Sequence, residues 1–240
     1  MTDAYLNGGK VGDYTWEKIG TAGNAQAVIT LPPGKAIVVD GGSMIWVEEG
    51  IVASVTAGAW YKRFFTQESL FQTIFTNQTN APKDICLGDS FIGDIIAIPV
   101  ENGETWKLSP GTFMASSPGI VVEGSLNITG LIPIGQNPDS IVLTSVTNNT
   151  GSRGVVWITA FGVAKQHDLA ASKTLLVDNE HFLCAPKPAD RPLYTVATIG
   201  KLKTAFFSGE GFAMRFVGQK FYTQSNGRYK FARKIKDLSG

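Results

Sequence analysis

Cysteine and histidine are scarce in this chain, with two of each in 240 residues. Cys86 and Cys184 stand 98 residues apart, which excludes a disulfide framework and a four-cysteine zinc site. Charge is also low, 17% of residues against the roughly 25% usual in soluble domains. Long hydrophobic runs are missing too. The longest, residues 92–100, is broken by Gly93 and Asp94, far short of the ~20 apolar residues of a membrane helix. The opening Met1-Thr2-Asp3-Ala4 lacks the basic start and apolar run of a secretory signal. What is present is an ordinary apolar share, 43%, with 27 glycines and 11 prolines as punctuation. That composition excludes disorder and predicts a soluble, intracellular globular protein with a real core.

The charges balance overall at +1 but are unevenly placed. Arg228, Lys230, Arg233, Lys234 and Lys236 face only Asp237, so the tail carries +4 and the rest of the chain, with 16 basic and 19 acidic groups, −3. A mildly acidic body argues against a general nucleic-acid binder, which needs a basic stripe on its folded surface. The tail reads as a solvated terminus that frays or as a contact for an acidic partner, a phosphate or an anionic lipid surface. Phe231, Ile235 and Leu238 recur at helical spacing and would line one face of a short amphipathic helix.

Helical periodicity is otherwise almost absent. Short runs rich in Val, Ile, Thr and aromatics, at 27–31, 36–39, 44–47, 51–55, 92–98, 121–125, 141–145, 155–161 and 212–217, alternate with Gly, Pro and Asn. This is the pattern of many short strands joined by turns, and the expected fold class is all-β. Residues 67–75 also lean to a strand because of Thr73, Phe75 and Thr76. One phrase recurs: an aliphatic residue, four turn-like positions, then Met or Phe and a second apolar residue. Its anchors Val39, Leu108 and Val177 are separated by 69 residues twice, and Met44, Phe113 and Phe182 keep step. Glycine-flanked apolar segments at 92–98, 155–162 and 209–216 are read as the ends of the three blocks. Three tandem β-sandwich-like repeats, each too small to stand alone, are therefore expected to form one compact pseudo-threefold body. The expected boundaries are an N-terminal extension 1–24, a three-repeat domain 25–225 (25–98, 99–165 and 166–225), and a basic tail 226–240.

The phrases Gly41-Gly-Ser-Met-Ile-Trp46, Gln67-Glu-Ser-Leu-Phe71, Ile92-Gly-Asp-Ile95, Gly111-Thr-Phe-Met-Ala115, Leu175-Leu-Val-Asp-Asn-Glu-His181 and Phe207-Ser-Gly-Glu-Gly-Phe212 occur in a familiar order. In them the chain, from about residue 25 to 225, resembles the family of altered inheritance of mitochondria protein twenty-four, a long-standing domain of unknown function in prokaryotes. The resemblance implies three units per chain, each similar in fold to the tryptophan RNA-binding attenuation protein. It implies no established enzymatic activity and a structural role in the mitochondrial relatives. Those relatives carry a targeting presequence. Residues 1–24 here contain no Arg and include Asp3, Asp13 and Glu17, so mitochondrial import is not expected.

The sharpest enzymatic signal is Gly88-Asp-Ser90 with Asp178-Asn-Glu-His181, the word order of GDSL-type esterases. Acyl transfer would need Ser90 as nucleophile, His181 as base and Asp178 to orient the imidazole. Against it stand the missing helices of that α/β fold and the repeat itself, which aligns Asp178–His181 with the turn phrases at 40–43 and 109–112. A metal site is not expected from Asp178, Glu180 and His181 alone, and no cofactor is implied. His167 falls in a polar stretch, 165–171, read as an exposed connection, and both cysteines fall in apolar strand contexts, where they act as small buried hydrophobes. Asn77, Asn127 and Asn148 head formal glycosylation sequons that an intracellular protein does not use. The segment Trp60, Tyr61, Lys62, Arg63, Phe64 and Phe65 interleaves cations with aromatics, as a stacking or lipid-interface patch would, and equally fits a strand pair with its aromatics packed inward and Lys62-Arg63 at the turn.

The expected function is a non-catalytic structural or assembly protein in a larger complex of a cell or virus particle. It would work through protein–protein contacts, self-association among them. The expected contact residues are Trp60, Tyr61, Lys62, Arg63, Phe64, Phe65, Arg228, Lys230, Phe231, Arg233, Lys234, Ile235 and Lys236. Nucleic acid is not an expected partner; peripheral membrane contact is compatible. The alternatives are the esterase and an RNA- or lipid-binding module.

Overall fold

The computed structural model describes residues 6–21, 23–55, 72–89, 92–123, 143–198 and 212–227. They are almost entirely antiparallel β. A hairpin, β1 (Gly8–Val11) and β2 (Tyr14–Ile19), comes first. Eighteen strands follow: β3 (Gln26–Leu31), β4 (Ala36–Asp40), β5 (Met44–Val47), β6 (Ile51–Val55), β7 (Gln72–Asn77), β8 (Lys83–Gly88), β9 (Gly93–Val100), β10 (Thr105–Leu108), β11 (Phe113–Ser116), β12 (Ile120–Glu123), β13 (Thr144–Asn148), β14 (Gly154–Phe161), β15 (Ala164–Asp168), β16 (Thr174–Asp178), β17 (Phe182–Pro186), β18 (Thr195–Thr198), β19 (Phe212–Val217) and β20 (Lys220–Gln224). A 3-10 turn, Asn179–His181, separates β16 from β17.

Hydrogen bonding arranges these strands as β1-β2-β3-β8-β5, β6-β7-β4-β11-β14-β9, β12-β13-β10-β17-β20-β15 and β16-β19-β18. The order follows one plan. A trio β3-β8-β5 recurs as β9-β14-β11 and β15-β20-β17; a trio β6-β7-β4 recurs as β12-β13-β10 and, in the same order, β18-β19-β16. Each six-stranded sheet joins the second trio of one set to the first trio of the next. The joints are short ladders with matching register: Val39 on Ala115 in one, Leu108 on Cys184 in the other, both partners displaced by 69 residues. The bulges keep the same step, falling at Met44/Trp46, Phe113/Ala115 and Phe182/Cys184. So do the turns, in which Lys35, Glu104 and Lys173 donate their N–H to the carbonyls of Pro32, Glu101 and Ala170.

The glycine-flanked segments expected to close the three blocks take different places. β9 sits where β3 sits, β14 where β8 sits, and β19 where β7 sits. Their likeness was one of composition, since each is a buried strand. A closed threefold body also needs a third joint, β16 against β5. Among the described residues each of these strands ends its sheet, with one ladder partner apiece.

Among the described residues, three cores lie between the four sheets. Ala27, Ile29 and Leu31, alternating along β3, meet Ile37, Ile95 and Trp157 in the first. The opposite faces of β9 and β14, with Ile96, Ile98, Val156 and Ile158, meet Trp106, Leu183 and Tyr222 in the second. Phe182, Phe216 and Phe221 stack in the third, with centroids 5.5 and 4.3 Å apart. All eight residues of β9 and all eight of β14 are buried, because these strands carry a core on each face. This explains their continuous apolar sequence where an ordinary half-buried strand alternates.

The first hairpin packs into the body. Val11, Tyr14 and Trp16 belong to the first core, and the Tyr14 ring meets Trp157 edge to face at 5.6 Å. The Tyr14 hydroxyl donates to the Ala36 carbonyl at 2.6 Å. Burial, with Asp13 nearby, raises its pKa to about 12. The unfolded tyrosine ionises near 10, so the fold holds the extra proton between these values. The stabilisation is complete below pH 10 and is lost as pH rises towards 12, about 2–3 kcal/mol in all. Phenolate absorbance during an alkaline titration should lose a component that ionises near pH 12 when Tyr14 is replaced in Tyr14→Phe.

Asn77 and Asn148 explain the recurring Asn-x-Thr phrase. Asn77 is fully buried; its Nδ2 donates to the carbonyls of Leu31 (2.9 Å) and Ala81 (2.8 Å), and its Oδ1 accepts from the N–H and hydroxyl of Thr79. Asn148 does the same with Val100 (2.7 Å), Ser152 (2.8 Å) and Thr150. The methyls of Thr79 and Thr150 lie over Gly50 and Gly119, both at positive φ (97° and 83°), where a Cβ would overlap them. Two of the three sequons are therefore internal braces whose amide nitrogens have no room for a glycan. Asn127 lies outside the described residues.

Candidate interaction surface

β5 carries Met44, Ile45, Trp46 and Val47, which by period and composition belong in a core. Met44, Ile45 and Trp46 are instead 42%, 48% and 42% exposed. Their counterparts in β11, Phe113, Met114 and Ala115, are 6%, 1% and 0% exposed, and those in β17, Phe182, Leu183 and Cys184, are 0%. The difference lies in the outer edge. β11 has β4 on that edge and β17 has β10, and through these joints Met114 reaches the first core and Leu183 the second. Ile45 has no such neighbour among the described residues, and its side chain lies across β8 at Gly88.

β16 shows the complementary deficit. Leu175 and Leu176 are each 38% exposed, while Ile37 and Trp106, which hold the place of Leu175 in β4 and β10, are 0% and 1%. The two strands that end their sheets at corresponding joints thus bear the exposed apolar side chains that the other joints cover. Neither strand carries a Lys or Pro, two of the residues that usually blunt an edge.

Of the residues expected to form contacts, Trp60, Tyr61, Lys62, Arg63, Phe64 and Phe65 lie outside the described residues, as do Arg228, Lys230, Phe231, Arg233, Lys234, Ile235 and Lys236. Ser90 does too. Of its supposed partners, Asp178 caps the 3-10 turn by accepting from Glu180 N at 3.0 Å. The His181 Nδ1 lies 3.0 Å from the Gln224 carbonyl, so a main-chain oxygen sets the imidazole orientation. The turn reading of 178–181 agrees with the related bonds Ser43 N to Asp40 O and Thr112 Oγ1 to Ser109 O.

His167 corrects an expectation. It sits within β15, stacks on Phe221 at 4.8 Å and lies 2.9 Å from the Thr223 hydroxyl. Partial burial and the nearby Lys165 lower its pKa. The polar sequence 165–168 alternates around an edge strand against β20, which hides it from a reading by composition. Cys86 and Cys184 are both buried thiols, and burial raises the pKa of each. Among the described residues no three His, Cys, Asp or Glu side chains converge to hold a metal ion. No described helix is long and apolar enough to cross a membrane.

The edges were missed by sequence reasoning because β5 reads as core. The available signal was the equal spacing of Met44, Phe113 and Phe182: three like strands need three like neighbours.

Comparison with known proteins agrees with this architecture. A crystal structure of a Streptococcus pyogenes protein superimposes with a TM-score of 0.67 at 19% identity, over 94% of this chain and 99% of that one. At that identity the likeness is one of fold. No curated protein matches the chain. The family model described as Mitochondrial biogenesis AIM24 matches residues 16–225. By that match over most of its length, the chain belongs to the AIM24 family.

Proposed function

We propose that the protein is a non-catalytic assembly component, a scaffold that acts by docking on other protein surfaces. The observation that carries this reading is the exposed apolar edge of β5, where Met44, Ile45 and Trp46 stand in solvent at positions buried in β11 and β17. Contiguous exposed apolar side chains on a sheet edge mark a protein-binding surface. On sequence grounds, the basic tail and the Trp60-to-Phe65 segment supply further contacts.

Gradient sedimentation of the untagged protein from its native source, with mass spectrometry of co-migrating chains, tests the reading. The protein should travel with other proteins in a particle well above 25.7 kDa. Removing residues 227–240 should reduce co-purification of those partners, while the far-ultraviolet spectrum stays that of a β protein. Sedimentation free of any other protein would sink the scaffold reading.

A further inference from the structure

We propose that β5 of one copy pairs antiparallel with β16 of a second copy, repeating between chains the joint that occurs twice within each. The inference rests on the docking function proposed above and names its partner and its register.

The internal joints define the contact. Val39 pairs with Ala115 and Val38 with Ser116; Leu108 pairs with Cys184, Lys107 with Ala185 and Trp106 with Pro186. Advancing the first strand and returning the second by the same 69-residue step places Val177 on Trp46, Leu176 on Val47 and Leu175 on Glu48 of the second copy. Main-chain bonds flanking the ladder carry over as well. Ser109 N donates to Leu183 O and Lys187 N to Thr105 O, each at 2.8 Å. Their counterparts are Asp178 N to Ile45 O and Glu49 N to Thr174 O.

The side chains fit this occupant. Ile45 holds the place of Met114 and Leu183, each of which crosses a joint into the core of the preceding set of strands. In the assembly Ile45 enters the third core, beside Val177, Met214 and Phe216. Leu175 gains the cover that Ile37 and Trp106 already have. The same register sets Lys173 of one copy next to Glu48 and Glu49 of the other, opposite charges at the rim. A partner of another sequence would have to reproduce both halves of this match, whereas a second copy carries them by construction. The contact is heterologous: each added copy presents a new β5 and a new β16, so association continues until a ring closes.

The purified full-length chain tests the proposal by light scattering at about 100 µM, a concentration that populates contacts with micromolar Kd. The expected mass is a multiple of 25.7 kDa. Trp46→Glu should weaken association about 30-fold or more, as for a central aromatic contact, while leaving the circular dichroism spectrum intact. A second variant fixes the register. Leu176→Cys with Val47→Cys should give covalent dimers and higher species on mild oxidation, and Leu176→Cys with Thr15→Cys, on the distant β2, should not. A wild-type monomer at that concentration would overturn the proposal, as would equal cross-linking of the two pairs or a disulfide confined to one chain. The two readings fail separately. A monomeric pure protein that travels with other proteins in the native source removes self-pairing and leaves the scaffold. A pure oligomer that travels alone does the reverse.

Discussion

Asn77→Ala should destabilise the protein by about 3–5 kcal/mol, enough to unfold a domain of ordinary stability at physiological temperature. The substitution removes one side chain and strands several main-chain groups. The Leu31 and Ala81 carbonyls lose their donor, and the Thr79 N–H and hydroxyl lose their acceptor, in a site with no solvent exposure at Asn77. Each buried group left unpaired costs about 1–3 kcal/mol. Asn148→Ala should act alike through Val100, Ser152 and Thr150. Asn77→Asp keeps the acceptor, but its other carboxylate oxygen faces two carbonyls in place of an amide donor, so it should also destabilise. Urea unfolding of the three variants checks this. Gly218 follows Asn77 and Asn148 in the third set, donating to Lys173 O as they donate to Lys35 and Glu104. There Gln219 braces the loop instead, by donating to the Leu193 carbonyl.

Asp94→Ala should lose about 3 kcal/mol, because it leaves a largely covered lysine without its partner. Asp94 lies at the start of β9 with its side chain 8% exposed. It accepts from Lys18 Nζ at 2.8 Å, from its neighbour Ile95 N at 2.9 Å and from Ala164 N at 3.4 Å. One carboxylate thus ties β2, β9 and β15 together. Lys18, 12% exposed at the side chain, has little water to fall back on once the acceptor is gone. Adding Lys18→Met should recover a large part of the loss, since removing both charges spares the desolvation that removing one exposes. Thermal melts of the single and double variants separate these effects; a double variant no more stable than Asp94→Ala would contradict the account.

Much of this architecture is legible in the sequence, for physical reasons that also mark where legibility stops. The short β-branched runs and their Gly and Pro punctuation specify strands and turns because they act locally. The matched spacing of Val39, Leu108 and Val177 is legible because Val39 and Leu108 take part in the internal joints and Val177 holds the same place in β16. The role of β9 and β14 is less so. A strand with a core on each face has no alternation, and Ile92-to-Val100 reads only as apolar. The braces at Asn77 and Asn148 carry the same letters as an accidental sequon; only burial and four hydrogen bonds distinguish them. Polar residues 165–168 hide an edge strand because their partners on β20 lie about 56 residues away. The candidate surface was hidden for a related reason. Met44, Ile45 and Trp46 are core letters at core spacing, and what exposes them is the end of the sheet.

Amide hydrogen exchange of the wild-type protein tests the central claim that β5 and β16 are two halves of one interchain joint. Met44–Val47 and Thr174–Asp178 should exchange as slowly as Phe113–Ser116 and Thr105–Leu108 in the concentrated, assembled protein. Both should then become fast together in Trp46→Glu, while β11 and β10 stay protected. Fast exchange at β5 and β16 in the concentrated wild type, with slow exchange at the internal joints, would contradict the account.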